Sequence, residues 1–317
     1  MAAAGRVLLT GVTGQVGGEI ARLLAGASEY AGYEVVAPGR ADLDLSDESS
    51  VRRMVREVKP RWIVNAAAYT AVDKAESESR MAYLLNGELP GVLGEEATRI
   101  GSVVIHFSTD YVFSGEGSQP WREDDPTGPL GVYGASKLAG EKALADSGAG
   151  HFIFRTSWVF GARGENFLRR ILQLALEREE LKIVDDQVGA PTWSRTLARL
   201  VGHTVRRAEE RTKSSGCGLE EAVRPMGGVY HASSRGYTTW FGFASRFLQT
   251  AQEALPEKTL ARLVPIPSSA YPTAAVRPKN SRLNCEKLLR GLEFEMPDWQ
   301  SATREVMEEV LAETRTR

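Results

Sequence analysis

The sequence predicts an α/β protein: a Rossmann-type doubly wound parallel sheet with a smaller, loop-rich C-terminal substrate lobe. Three observations carry this. Short β-branched runs ending in small or polar residues alternate with amphipathic helical patterns through the first 160 residues. The first run leads straight into glycines at positions 11, 14 and 17, the turn chemistry of a strand that hands over to a helix. Past residue 160 the alternation gives way to shorter runs and turn-forming segments.

The predicted strands are "RVLLTG" (6–11), "YEVVAPG" (33–39), "RWIVNAAA" (61–68) and "SVVIHFST" (102–109), each apolar enough to be buried on both faces. Between them, "GGEIARLLAG", "DESSVRRMVREV" and "ESRMAYLLNGELPGVLGEEATRIG" read as helices, the last interrupted or kinked at Pro90 and Gly91. "YGASKLAGEKALAD" opens another helix and "HFIFRTSWVF" another strand. Beyond these come a helical "NFLRRILQLALEREE", a short "LKIV" and the turn-rich "VGAPT" and "IPSSAYPTAAVRPKNS". The segment 211–228, "RTKSSGCGLEEAVRPMGG", mixes glycine, serine and charge and reads as an exposed insertion. We divide the chain into a dinucleotide-binding Rossmann domain (1–160) and a mainly substrate-binding lobe (161–317), some segments of which return to the first domain.

Bulk properties narrow the function. Lys and Arg total 39 against 41 Asp and Glu, a net charge of −2, so no basic field invites nucleic acid or a membrane surface. Cys217 and Cys285 lack the paired spacing of a zinc site and form no disulfide framework. No stretch is apolar enough to span a membrane and the N-terminus carries no leader pattern, so the expected location is cytoplasmic.

Gly11, Gly14 and Gly17 suit a tight turn, close approach of a pyrophosphate to backbone N–H groups, and a helix N-terminus that favours anions. After the second strand, an NAD-selective site would place an acid on the ribose; here stands Gly39-Arg40. Arg40 is suited to the extra phosphate of NADPH, with Asp44 and Leu45 flanking the adenine, and NADPH is favoured with NADH still open. A solvated loop charge is the alternative for Arg40. Tyr133 and Lys137, four apart on a helix, share one face. There an ammonium would stabilise phenolate and assist proton transfer. Thr109 ends the fourth strand, where ligands of open α/β sheets bind. The histidines at 106, 151, 203 and 231 form no cluster and read as structural.

Glycine loop, strand-end Ser108-Thr109 and the Tyr133/Lys137 pair stand in the order of the short-chain dehydrogenase/reductase superfamily. "GVTGQVGGE", "VNAAAYTAVDKAESE", "STDYVFSG", "VYGASKLAGEKAL", "FRTSWVFG", "DDQVGAPT" and "SAYPTAAVRPKNSRLN", spread over residues 11–284, together resemble the dTDP-4-dehydrorhamnose reductase family. That resemblance implies reduction of the C4 ketone of dTDP-4-dehydro-L-rhamnose to dTDP-L-rhamnose. In it Tyr133 donates the proton, Lys137 holds the nicotinamide ribose and tunes Tyr133, and Thr109 bonds the substrate oxygen. Gln15, Val16, Ala67 and Ala68 would join the cofactor site; Thr70, Val72, Asp110, Tyr111 and Trp158 would join the sugar site. Related dehydratases carry an Asp-Glu pair after the strand-end Thr, where this chain has Asp110-Tyr111, so simple reduction is favoured over elimination. Trp158 would cover the sugar's apolar face or serve as plain core.

Arg277, Lys279 and Arg282 are suited to the diphosphate. Family members are associated with Mg²⁺ through acidic residues near a dimer interface. Glu19 is the matching position, although the helix dipole alone explains a glutamate there. The resemblance leaves room for a homodimer. Two rival readings remain: a non-catalytic NADP-binding regulatory subunit resembling the β-subunit of methionine adenosyltransferase, and a reductase or epimerase of another nucleotide sugar.

Overall fold

The computed structural model describes residues 5–26 and 32–315. Its centre is a six-stranded, fully parallel sheet. In chain order the first five strands are β1 (Gly5–Thr10), β2 (Tyr33–Val36), β3 (Trp62–Asn65), β4 (Val103–Thr109) and β5 (Gly150–Thr156). The second half of the chain contributes β6 (Val159–Phe160), β7 (Glu180–Val184), β8 (Val188–Gly189), β9 (Thr192–Trp193), β10 (Gly228–His231), β11 (Thr238–Thr239) and β12 (Arg262–Ile266). The main sheet runs β10-β5-β4-β3-β1-β2, and the remaining strands pair as β12-β7, β11-β8 and β6-β9. The chain moves to one side of β1 for β2 and to the other for β3, which sets the topological switch point between β1 and β3.

Alternation along each strand feeds two cores. Val7, Leu9, Trp62, Val64, Val103, Ile105, Phe152 and Phe154 pack on one face, under helices α1 (Gln15–Gly26) and α8 (Ser194–Ser215). Leu8, Ile63, Val104 and Ile153 pack on the other, under α2 (Glu48–Val58) and α5 (Leu89–Ile100), with α6 (Val132–Asp146) beside them through Leu144. A separate core gathers α7 (Phe167–Glu177), α10 (Trp240–Ala254) and α12 (Trp299–Arg315) around Phe160, Trp193, Phe243 and Phe247.

Two expectations change. The long helical pattern before β4 divides earlier than Pro90: α3 (Val72–Ala75) and α4 (Ser79–Tyr83) are followed by a π-helical turn, Leu84–Glu88, and α5 then begins with Pro90 in its first turn. The missing proline N–H is harmless there. Residues 211–228 are only partly exposed and are not an insertion without structure. They contain the end of α8 and a short helix, α9 (Leu219–Val223), and lead into β10. Leu219, Ala222 and Val223 are buried, with Leu219 and Val223 in the main core. The three share one helical face at i, i+3 and i+4, a spacing that the surrounding charge and glycine obscure in the sequence. The C-terminal half also carries three long helices, α8, α10 and α12, between its turns, and α11 (Glu286–Leu292) returns to the main core through Leu288 and Leu292.

Candidate active site

A cleft of about 1170 Å³ opens beyond the carboxyl ends of β1, β3, β4 and β5, at the switch point. Its walls bring together Gly11, Gly14, Gln15, Val16, Arg40, Asp44, Leu45, Ala67, Ala68, Thr70, Val72, Thr109, Asp110, Tyr111, Tyr133, Lys137 and Trp158. Gly17 lies beneath the loop, against the Gly11 carbonyl.

At the cofactor end, Gly11 has φ +74°, a conformation that favours glycine. A Cβ there would meet the Ala67 nitrogen at 2.5 Å. The turn therefore lies directly on the chain leaving β3. Arg40 is exposed at the rim. Beside it, the Asp42 carboxylate accepts from Gly39 N and the Asp44 carboxylate from the Ser46 N–H and hydroxyl, which fixes the loop by side chain-to-backbone turns.

Helix α6 supplies Tyr133 and Lys137. Its N-cap is Gly131, with no capping side chain of its own; the Glu76 carboxylate accepts from Val132 N at 2.9 Å instead. Gly134 lets the helix lie against the turn after β4, since a Cβ there would sit 2.1 Å from the Tyr111 carbonyl oxygen. The Tyr111 and Tyr133 rings consequently meet edge to face, centroids 5.4 Å apart at 79°. The Thr109 hydroxyl donates to Asp110 Oδ1 at 2.9 Å and accepts from Tyr111 N at 3.2 Å.

Electrostatics depart from expectation. Burial pushes the Tyr133 phenol up to about 12 against a hydrogen bond from Thr109, with Asp110 adding to the rise. Burial also lowers the Lys137 ammonium to about 8, opposed by Glu141. Lys137 was expected to lower the phenol's pKa. In the structure desolvation dominates, and the ammonium is engaged by the Phe107 carbonyl at 2.6 Å and His106 at 3.3 Å. The Asp110 carboxyl rises to about 6, also through burial.

Two residues of the site escape a reading of the sequence. Asn86, fully buried in the π-helical turn, accepts from Tyr69 N at 2.8 Å, donates to Tyr69 O at 3.0 Å and reaches Ser136 Oγ on α6 at 3.1 Å. It ties the Ala66–Val72 wall to the helix carrying Tyr133, and π-turns commonly mark functional sites. The only signal is the proline shortly after it. Trp240, from the start of α10, lies parallel to Trp158 with ring centroids 3.7 Å apart and an interplanar angle of 11°. Trp158 itself holds a left-handed φ of 47°, an uncommon conformation for a bulky residue. Gly189 leaves room for its indole.

A second cavity of about 1530 Å³ shares Glu165, Asn166 and Trp240 with the first and is lined by Arg170, Arg178, Lys182, Arg277 and Lys279. Arg277 also pairs with Asp73 at 2.7 Å. Arg282 lines neither cavity and donates to the Ser118 carbonyl at 3.1 Å.

The comparisons with known proteins agree with this geometry. The family profile described as "RmlD substrate binding domain" matches residues 5–312. The dTDP-4-dehydrorhamnose reductase of Burkholderia thailandensis is 45% identical over 310 residues, covering 97% of this chain and 100% of the relative. The Escherichia coli K12 protein of the same name is 43% identical over 97% of this chain and 99% of its own. This chain belongs to the dTDP-4-dehydrorhamnose reductase family. A solved member of the family from Bacillus anthracis, in complex with NADP, superposes with TM-score 0.83 at 30% identity, covering 98% of this chain and 100% of that one.

Glu19, only a weak candidate for Mg²⁺ in the sequence, does not fit that role. Glu19 is buried, and its carboxylate is paired with Arg22 at 2.9 Å, Arg195 at 3.0 Å and Arg163 at 3.4 Å. Arg195 also holds Glu309 of α12 through its two terminal guanidinium nitrogens. Guanidinium groups thus already neutralise the carboxylates. Among the described residues, no group of three or more His, Cys, Asp and Glu could hold a metal ion, and no helix is long and apolar enough to cross a membrane.

Proposed function

We propose that the protein reduces the C4 ketone of dTDP-4-dehydro-L-rhamnose to dTDP-L-rhamnose, with Tyr133 as proton donor. The observation that carries this reading is the convergence of the glycine loop, Thr109, Tyr133, Lys137 and Trp158 on one cleft. Nearly full-length similarity to reductases of that name supports the substrate.

NADPH, when bound, supplies the hydride; the NADP complex of the Bacillus anthracis relative supports that choice. Gly11, Gly14, Gln15 and Val16 would hold the pyrophosphate and Arg40 the 2′-phosphate, while Lys137 would bond the nicotinamide ribose. Carbonyl reduction needs an acid that is protonated at neutral pH, and the Tyr133 phenol, raised by burial, keeps its proton there. As C4 gains hydride, Tyr133 transfers its proton to the C4 oxygen, and Thr109 bonds that same oxygen. The deoxysugar would lie against Trp158 and Tyr111, beside Thr70 and Val72. Its diphosphate would extend toward the second cavity, where Arg170, Lys182, Arg277 and Lys279 gather positive charge.

Incubation with NADPH and dTDP-4-dehydro-L-rhamnose, following loss of cofactor absorbance and the identity of the sugar product, tests the proposal. Stoichiometric formation of dTDP-L-rhamnose is expected. Tight NADPH binding without turnover would favour a regulatory role instead.

A further inference from the structure

Three adjacent strands carry buried polar side chains in register. Thr10 of β1 pairs with Asn65 of β3, and Asn65 with His106 of β4. The side chains join in a rung: Thr10 Oγ1 to Asn65 Oδ1 at 2.7 Å, Asn65 Nδ2 to His106 Nδ1 at 3.1 Å, and His106 Nε2 to Lys137 Nζ at 3.3 Å. All four residues are at most 2% exposed. The reaction outlined above uses neither Asn65 nor His106. Buried polar groups nevertheless need full satisfaction.

With a neutral imidazole, hydrogen accounting leaves the rung two arrangements. An ammonium has only hydrogens to give. Beside a charged Lys137, His106 Nε2 must accept, Nδ1 must carry the ring hydrogen, and Asn65 must present its oxygen to Nδ1 and its nitrogen to Thr10. If Asn65 instead donates to Nδ1, the ring hydrogen sits on Nε2, which suits only an uncharged amine at Lys137. The two differ by a half-turn of the Asn65 amide and a change of imidazole tautomer.

We propose that His106 is the positioning residue for Lys137: as a neutral imidazole it anchors the ammonium, so that the charge of Lys137, the tautomer of His106 and the orientation of Asn65 are set together.

The surroundings agree. Burial, and then the charge of Lys137, hold the His106 imidazolium well below the ordinary range, opposed by a hydrogen bond to the Asn65 backbone, with His151 of β5 acting in the same direction as burial. The carboxylate that raises the Lys137 ammonium against burial is Glu141 on its own helix, which is ion-paired to buried Arg155 of β5 at 2.7 Å. The other titratable groups around it are Tyr133 on α6, and Asp110 and Tyr111 on the turn after β4. Besides His106, the Phe107 carbonyl is an acceptor for the ammonium. Removing His106 therefore takes away one of the partners that offset burial of the charge.

The inference deepens the reading of Lys137 given above, but its test uses no turnover, so the two fail separately. In the intact protein, nitrogen-15 spectra report the His106 tautomer. Carbon-13-labelled lysine, assigned with Lys137→Arg, reports the charge of Lys137. In the wild type the ring should carry its hydrogen on Nδ1 while Lys137 is charged and on Nε2 once the lysine deprotonates, near its value of about 8. His106→Leu should lower the Lys137 midpoint by about one pH unit, a tenfold change in its ionisation, whereas His106→Gln, which keeps an acceptor, should shift it less than half as far. An Nε2–H ring beside a charged Lys137, a doubly protonated ring, or an unmoved midpoint in His106→Leu would overturn the proposal. Should the leucine variant not fold, the wild-type spectra alone decide.

Discussion

Trp158 and Trp240 lie face to face across the boundary of the two cavities, their rings 3.7 Å apart and 11° from parallel. One indole follows β5 of the main sheet and the other opens α10, so the stack fixes a wall of the proposed sugar pocket to the C-terminal core. Aromatic pairs contribute about 0.5 to 1.5 kcal/mol beyond the area they bury. Trp240→Leu should therefore raise KM for the sugar nucleotide roughly two- to tenfold and leave NADPH affinity unchanged. Steady-state kinetics with each substrate varied in turn check this; equal losses for both substrates would mean that the stack supports the whole cleft rather than its sugar wall.

Arg40 stands at the rim of the cofactor end, where an acid would mark preference for NADH. A charge-assisted bond to phosphate contributes on the order of 1.5 to 3 kcal/mol, so Arg40→Ala should weaken NADPH by roughly ten- to a hundredfold. NADH should be almost unaffected. Measuring kcat/KM for both cofactors on both proteins cancels general damage to the fold; matched losses would return Arg40 to a solvated loop charge.

The arginine network around Glu19 predicts indifference to divalent cations. Neither a chelator nor millimolar Mg²⁺ should move the thermal midpoint or the rate of reduction. Arg195→Met leaves buried Glu19 with Arg22 and Arg163, both about half exposed, and should destabilise the fold by about 1 to 3 kcal/mol. Denaturant unfolding measures that loss. A Mg²⁺-dependent rise in the wild-type midpoint would show that the guanidinium groups do not fill the cation's role.

The parts of the fold legible in the sequence were those written in local spacing. Gly11, Gly14 and Gly17 follow one strand, and Tyr133 and Lys137 sit four apart on one helix; pattern alone places each of these. What was hidden depends on distant partners. Asn86 has no motif, and its importance comes from Tyr69 and Ser136, 17 and 50 residues away. His106 reads as an ordinary core histidine until the register of three strands aligns it with Asn65 and Thr10. Glu19 reads as a helix-start glutamate until Arg163 and Arg195 arrive from the other half of the chain. The electrostatics of Tyr133 are hidden for a related reason: helical spacing gives proximity to Lys137, but the balance between charge and burial is set by everything packed around the pair.

The central claim, that Tyr133 gives the proton to the C4 oxygen, is tested most directly by Tyr133→Phe. The phenylalanine keeps the edge-to-face packing on Tyr111 and removes only the hydroxyl. General acid catalysis typically contributes about 10²- to 10⁴-fold, so kcat for reduction of dTDP-4-dehydro-L-rhamnose should fall within that range while NADPH affinity, read by fluorescence titration, stays near the wild-type value. Retention of more than about a third of the wild-type kcat with the same KM lies far outside that range, and would show that the proton comes from another group.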